Sequence, residues 1–162
     1  MSHKRYSRFL SLNRVALVTA ALALCLIVSV GDGDSLSARC GAEPVQRVRI
    51  AAIDAPELRQ AYGARARQHL AQLCLRQQAR VAAQGRDKYG RLLAQVRCRG
   101  RDVASAQVAA GLAWVHPSQA AAHPALARAA LRARRAKVGL WAQPRPLAPW
   151  TYRQRHPRRT YR

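Results

Sequence analysis

Carboxylates are scarce in this chain of 162 residues: it has 7 Asp and Glu against 29 Lys and Arg, a formal net charge of +22. This imbalance excludes a surface on which acids and bases are interspersed for solubility. A charge of this size attracts polyanions, nucleic acid first and anionic membrane or cell-wall polymer second. It does not separate an enzyme from a packaging protein, because phosphate contacts carry no sequence information. The few acids are therefore the informative residues.

Other patterns are missing as well. The four cysteines, Cys25, Cys40, Cys74 and Cys98, include no Cys-x-x-Cys pair, which argues against a zinc site. Three disulfide pairings are open if all four are retained, and a free, buried Cys74 is the simpler alternative. The sequence contains no internal repeat. The uncharged run at 15–30 is shorter than the ~20 residues of a transmembrane helix.

The N-terminus has the pattern of a targeting segment. A basic start of His, Lys and Arg residues precedes the apolar run, and Ala21-Leu22-Ala23 is a small-x-small cleavage site. We therefore predict a signal peptide at 1–23, a folded domain at 24–150 and a basic, flexible tail at 151–162. The protein is expected to be exported: secreted, periplasmic or attached to the cell envelope. The alternative is an uncleaved membrane anchor.

Hydrophobic periodicity predicts five strands and three helices. Alternation predicts the strands at 24–30, 36–40, 45–53, 79–83 and 92–97, and helical spacing predicts the helices at 63–76, 103–110 and 124–136. The first three strands are joined by short turns, which indicates an antiparallel meander. The predicted fold class is α+β, a five-stranded antiparallel barrel of the oligonucleotide-binding (OB) type with three helices.

Five of the seven acids lie in three short motifs, Asp32-Gly33-Asp34, Asp54-Ala55-Pro56-Glu57 and Asp87-Lys88-Tyr89-Gly90-Arg91. Any one of these is an ordinary turn, since Asp and Gly are common there. Their concentration in so basic a chain favours a functional site. The strand before the second motif also carries Arg49. One cation with two carboxylates at a strand end suggests chemistry on an anion, with or without a metal ion.

Together these blocks resemble the thermonuclease family, the staphylococcal (micrococcal) nucleases, over about residues 26–150. Further blocks in the same order strengthen the resemblance: Val48-Arg49-Ile50, Tyr62-Gly63, Gly111-Leu112-Ala113-Trp114-Val115, Gly139-Leu140-Trp141 and Pro149-Trp150. The resemblance implies a Ca²⁺-dependent endonuclease that acts on DNA and RNA. It assigns Ca²⁺ to Asp34, Asp54 and the main-chain carbonyl of Ala55, and oxygen ligands of this kind suit that ion.

The resemblance also implies catalytic roles. Glu57 would act as general base or orient the attacking water. Arg49 and Arg91 would bind phosphate, because a planar guanidinium donates two hydrogen bonds at once. We expect Lys88 and Tyr89, the basic and aromatic residues of the third motif, to contact the substrate.

One departure concerns the nucleobase. His116 and Pro117 stand where tyrosines that frame the base are expected, so base preference stays open. Two alternatives remain to the nuclease hypothesis: a catalytically inactive nucleic-acid-binding OB-fold module, and a cationic structural protein of the cell envelope. No protein partner is implied, and we expect a monomer.

Overall fold

A computed structural model of the chain describes residues 22–157. Most of the predicted signal segment and the end of the predicted tail lie outside the described residues. The strands are β1 (Leu22–Val30), β2 (Ser35–Cys40), β3 (Gln46–Ile50), β4 (Ile53–Asp54), β5 (Gln78–Arg86), β6 (Leu92–Cys98), β7 (Arg101–Asp102) and β8 (Trp114–Val115). The α-helices are α1 (Gly63–Cys74), α2 (Val103–Ala109), α3 (Pro124–Arg135) and α4 (Pro149–Arg155).

Five of the strands close into a barrel. The sheet order is β3-β2-β1-β5-β6-β7, and an additional pairing between β3 and β6 joins the two sides. Alternating apolar residues of each strand point inward, and Ile27, Val48, Ile50, Val81 and Val96 are at most 1% exposed. The predicted five-stranded OB-type barrel is confirmed in this respect.

The prediction that the barrel is antiparallel was wrong, because β3 and β6 run parallel. The reason is topological. Strand directions can alternate around a closed ring only if the number of strands is even, so a ring of five must contain at least one parallel pair. The third and the fifth of the predicted strands meet at this point and close the ring.

The prediction of three helices was also wrong, since the described residues contain four α-helices. The additional helix is α4, which extends into residues predicted to belong to the tail. Pro149 occupies the first helical turn, where the missing N–H of proline costs nothing. None of the helices in 22–157 is long and apolar enough to span a bilayer.

Two disulfides fasten the barrel. Cys25 pairs with Cys40 across β1 and β2, and Cys74 at the end of α1 pairs with Cys98 of β6. Of the alternatives that the sequence left open, this pairing holds, and Cys74 is not free. Each bridge closes a loop of moderate length, which is worth about 3 kcal/mol in the chain-entropy account.

The predicted third strand divides into two. β3 ends at Ile50, and the backbone turns through Ala52, which has a φ of 68°. β4 then pairs antiparallel with β8 in a separate two-stranded sheet, with Asp54 opposite Trp114. Since a non-glycine residue rarely adopts positive φ, other contacts must hold this turn. These contacts come from the Arg49 side chain and from the backbone N–H of His116.

Candidate active site

Arg49 lies between two buried aspartates. Its Nε is 3.3 Å from Asp34 Oδ1, and its Nη2 is 3.1 Å from Asp54 Oδ1. Its Nη1 donates to the carbonyls of Ile50 and Ile53 at 2.6 and 2.7 Å, which clasps the turn between β3 and β4. The two aspartate side chains are only 6% and 3% exposed, so a nearby cation is needed to hold their charge.

Asp34 reaches this position because Gly33 has no side chain. A Cβ on Gly33 would lie 2.6 Å from the Ala55 Cβ and 2.5 Å from the Ala66 Cβ, which is too close for any larger residue. This tight packing lets Asp34 Oδ2 accept a hydrogen bond from the Ala55 N–H at 2.5 Å. The bend before β2 is thus fixed against the segment that follows β4.

The two acids of this bend differ in acidity. Burial raises the pKa of Asp34 to about 8, although the Arg49 guanidinium opposes the shift. Burial alone would also raise the pKa of Asp32. However, hydrogen bonds to its Oδ1 from the Ser35 hydroxyl and the Asp34 N–H, at 2.7 and 3.1 Å, hold that pKa below its ordinary value. Asp32 is therefore an ionised turn residue. At Asp34, a second cation would favour the ionised form of the carboxyl group.

Glu57 follows Asp54 at the mouth of the same site. Its N–H donates to Gln60 Oε1 at 3.1 Å, and Gln60 Nε2 in turn donates to the Leu147 carbonyl. Gly63, the first residue of α1, lies against the Glu57 backbone, where a Cβ would be 1.9 Å from the Glu57 carbonyl oxygen. The Glu57 side chain is 29% exposed, so it borders the buried aspartates and also reaches water.

A residue that the sequence did not reveal completes the site. Arg153 of α4 places Nη2 2.7 Å from Asp54 Oδ2, and its Nη1 lies 3.2 Å from Asp54 Oδ1 and 2.8 Å from Glu57 Oε1. We refer to Asp34, Asp54 and Glu57 as the carboxylate cluster. Hydrogen bonds to Asp54 are the main cause of a raised pKa at Arg153. No sequence pattern could have identified Arg153, because 99 positions separate it from Asp54.

The third motif forms a turn with its own hydrogen bonds. Asp87 Oδ2 accepts from Arg91 Nε at 2.7 Å, while Oδ1 accepts from the Tyr89 and Arg91 N–H groups at 2.9 and 3.0 Å. Lys88 Nζ and Arg91 Cζ lie 5.1 and 5.6 Å from the Tyr89 ring centroid, and Tyr89 is 64% exposed. This exposed group of cations on an aromatic ring is suited to contact a nucleic acid.

Arg91 directly precedes β6, the strand that pairs with the Arg49 strand β3, and does not join the contacts of Arg49. The parallel register pairs Arg49 with Leu93, two residues beyond Arg91. Within residues 22–157, no hydrogen bond or ion pair connects Arg91 with the carboxylate cluster. The structure thus brings Arg49, Asp34, Asp54 and Glu57 together and leaves Arg91 on a neighbouring turn.

Gln107 is a second residue that sequence analysis missed. It is fully buried on α2, and its Nε2 donates to the carbonyls of Gly33 and Ala66 at 2.5 and 3.0 Å. Its Oε1 lies 2.5 Å from His69 Nδ1. The side chain thereby ties the bend that carries Asp34 to α1. The available signal was a single amide in the helix segment 103–109, whose only other polar residue is Ser105.

His116 is used in local structure. Its N–H donates to the Ala52 carbonyl at 3.0 Å and so supports the turn at positive φ. Its Nδ1 accepts from the Ser118 N–H at 3.3 Å, and its ring centroid is 5.6 Å from that of Trp150. The side chain caps a 3₁₀ turn and packs against α4.

The donors at the cluster have the chemistry that a hard cation requires. Asp34 and Asp54 present carboxylate oxygens to a common guanidinium, and Ala55 adds a main-chain carbonyl beside Asp54. Arg153 already stands on the solvent side as a positive charge. In the part of the chain that the structure describes, no group of three or more His, Cys, Asp or Glu is arranged to hold a metal. A hard cation bound here would be held by Asp34, Asp54 and the main-chain carbonyl of Ala55.

The sequence of this chain is similar to that of known proteins. The sequence profile described as "Staphylococcal nuclease homologue" matches residues 47–143. "Protein ParB" of Escherichia coli is 38% identical over 138 residues, which cover 79% of this chain and 77% of that protein. "Micrococcal nuclease" of Shigella flexneri is 34% identical over 166 residues, covering 86% and 92%. An "Uncharacterized endonuclease" of Haemophilus influenzae is 33% identical over 130 residues, covering 80% and 72%. A profile match to more than half of the sequence, together with relatives of this identity and coverage, shows that the chain belongs to the staphylococcal nuclease homologue family.

Proposed function

We propose that this chain is a Ca²⁺-dependent endonuclease that hydrolyses phosphodiester bonds of DNA and RNA with little sequence preference. The observation that carries the proposal is the arrangement of Arg49 between Asp34 and Asp54, with the Glu57 carboxylate at the exposed mouth. Membership of a nuclease family supports the same reaction.

The chain's own groups have distinct tasks in this reaction. Glu57 holds a water molecule and takes its proton as the water oxygen attacks phosphorus, one ester P–O bond breaks, and the leaving oxygen gains a proton. Arg49 already directs four of its five N–H groups at the two aspartates and two carbonyls. Its remaining Nη2 N–H donates to a phosphoryl oxygen, where negative charge increases in the transition state. A bound Ca²⁺ would act as a Lewis acid on the phosphoryl group. Arg91 would add a second guanidinium from the adjacent turn, together with Lys88 and Tyr89 on the substrate strand.

Export is the second part of the proposal. Two disulfides lie in the described domain, and disulfides persist chiefly in oxidising compartments. The basic start and apolar run of the N-terminus agree with a signal peptide or an anchor. Fractionation of cells that express a tagged chain, with and without residues 1–23, would test this part. A chain that remains in the cytosol in both forms would contradict it.

The reaction is tested by incubating the full chain with single-stranded DNA, double-stranded DNA and RNA, in Ca²⁺ and then in a chelator. The Glu57→Gln variant should lose at least about 100-fold in cleavage rate, because proton transfer to a positioned carboxylate is lost. The same substitution at Glu43, an exposed turn residue, is the matched control and should cleave at the wild-type rate.

Binding and cleavage separate the hypotheses. Under the proposed function, Glu57→Gln still retards the nucleic acid in a gel and leaves it intact. Substrates that the wild-type chain shifts but never shortens, with or without Ca²⁺, would favour the inactive binding module. Salt-sensitive binding of every polyanion without Ca²⁺-dependent cleavage would favour the cationic structural protein.

A further inference from the structure

Arg153 occupies the solvent side of the carboxylate cluster. Its two terminal nitrogens contact both oxygens of Asp54 and one oxygen of Glu57, at 2.7 to 3.2 Å. Asp54 Oδ1 also receives Arg49 Nη2, so both oxygens of this buried carboxylate carry guanidinium donors. A further cation at Asp54 would therefore have to displace one of these donors and would be repelled by the positive guanidinium groups.

The position of Arg153 is set by the docking of α4. Trp150, one turn earlier in the helix, has its ring centroid 5.6 Å from that of Trp114. Trp114 is the β8 residue paired with Asp54 in β4. Residues three apart share one face of a helix. The aromatic contact therefore aims Arg153 at Asp54.

We propose that Arg153 is an intramolecular competitor of Ca²⁺, whose guanidinium holds Asp54 and Glu57 in the cation-free chain and leaves Asp54 when the ion binds. This inference rests on the proposed function, because it assumes that the carboxylate cluster binds Ca²⁺. Once released, Arg153 would remain tethered by α4 at the rim of the cluster, where its side chain is 46% exposed.

Competition lowers the apparent affinity for Ca²⁺. The ion binds only the fraction of molecules in which Arg153 has left, and the apparent Kd rises as the inverse of that fraction. The contacts are three hydrogen bonds from a half-exposed guanidinium, so solvent screens them in part. We expect that removing them will tighten Ca²⁺ binding roughly tenfold.

The test is a calorimetric titration of the full chain with Ca²⁺ alone, comparing wild type with Arg153→Gln. The variant should show the lower Kd. Arg155→Gln is the matched control, since Arg155 lies on the same helix, is exposed and has no hydrogen bond or ion pair among the described residues. It should bind Ca²⁺ like the wild type. Thermal unfolding in chelator establishes that each variant is folded.

A second variant separates the specific contacts of Arg153 from a general effect of its charge on the Kd for Ca²⁺. Arg153→Lys keeps the cation but loses the planar fork, and should give an intermediate Kd. If wild type binds Ca²⁺ and Arg153→Gln binds it equally or more weakly, the competitor role is contradicted while the proposed function stands. If wild type, Arg153→Gln and Arg153→Lys all fail to bind Ca²⁺, the metal dependence of the proposed function is contradicted, and the competitor role with it.

Discussion

The domain contains two Asp–Arg regions that use the same chemical groups in different surroundings. In the third motif, Arg91 bonds Asp87 four residues away in a surface turn, where the two side chains are 27% and 20% exposed. In the carboxylate cluster, Arg49 bonds an aspartate from another strand, and both of its aspartate partners are buried. The pKa of Asp87 is lowered because hydrogen bonds from Arg91 outweigh the opposing effect of burial. The pKa of Asp34 is raised because burial outweighs Arg49.

The difference shows where an ion pair supports a turn and where it supports a site. The local pair satisfies its own charges and leaves its carboxylate ionised. The carboxylate cluster has three carboxyl groups and two guanidinium groups, Arg49 and Arg153, so that it can still gain from another cation. Such an arrangement costs stability and is typical of functional sites. The contrast between the two regions can be tested through the pH dependence of stability and through mutation.

The largest effect is the pH dependence of stability in chelator. Between pH 3.8 and about 8, unfolded Asp34 is ionised while the folded carboxyl keeps its proton. The unfolded state then binds fewer protons, so the free energy of unfolding falls as pH rises, by up to about 1.4 kcal/mol per pH unit. Asp34→Asn should remove this slope in urea unfolding between pH 4 and 8.

Asp87→Asn is the opposite case. The folded pKa of Asp87 is depressed, so its contribution is present above the ordinary value of 3.8 and is lost as pH falls through the folded value. Between pH 4 and 8 the free energy of unfolding of this variant should therefore change with pH as steeply as that of wild type. The two slopes should differ only below pH 4. An identical slope for wild type and Asp34→Asn would contradict the raised pKa.

The second prediction compares truncation of the two arginines. Arg49→Ala should lower the free energy of unfolding in chelator by about 3 kcal/mol, because it leaves buried carboxylates without their cation and frees the turn at Ala52. Arg91→Ala, in the surface turn, should leave the urea midpoint close to that of wild type. Equal losses in the two variants would mean that burial does not distinguish the regions.

The third prediction concerns the neutral support of the cluster. Gln107→Leu keeps most of the volume but leaves the Gly33 carbonyl without its amide donor, at a cost of about 1–3 kcal/mol. Gln72→Leu, on the exposed face of α1, is the control and should change stability little. Urea unfolding measures both. Gln107→Leu with wild-type stability would show that water replaces the amide.

The barrel and most of its elements could be predicted because strand alternation and helical spacing are short-range properties of the sequence. The 63–74 helix and the inner faces of the strands follow from periods of 3.6 and 2. The break at Ala52 could not be predicted in this way. Its positive φ is held by Arg49 and by the His116 N–H, and the latter comes from a distant part of the chain.

The residues of the candidate site likewise include some that are close in sequence and others that only the fold brings together. Arg49, Asp54 and Glu57 lie within nine positions, and a strand followed by a proline is enough to place them together. Asp34 and Arg91 were selected by motif. Asp34 contacts Arg49 from another segment of the chain, whereas Arg91 contacts Asp87 within its own turn. Gln107 was missed because a single amide in a mostly apolar helix does not indicate which carbonyls it will meet.

The family, the five-stranded barrel and the residues proposed for a phosphodiester site can be identified from local periodicity and ordered motifs. The parallel closure of β3 and β6, the pairing of the cysteines and the contact of Arg153 with Asp54 and Glu57 become visible only in the folded chain. Each of these joins segments far apart in the chain. Which of 29 Lys and Arg meets a given carboxylate depends on how the barrel closes and how α4 docks, and no local pattern carries that information.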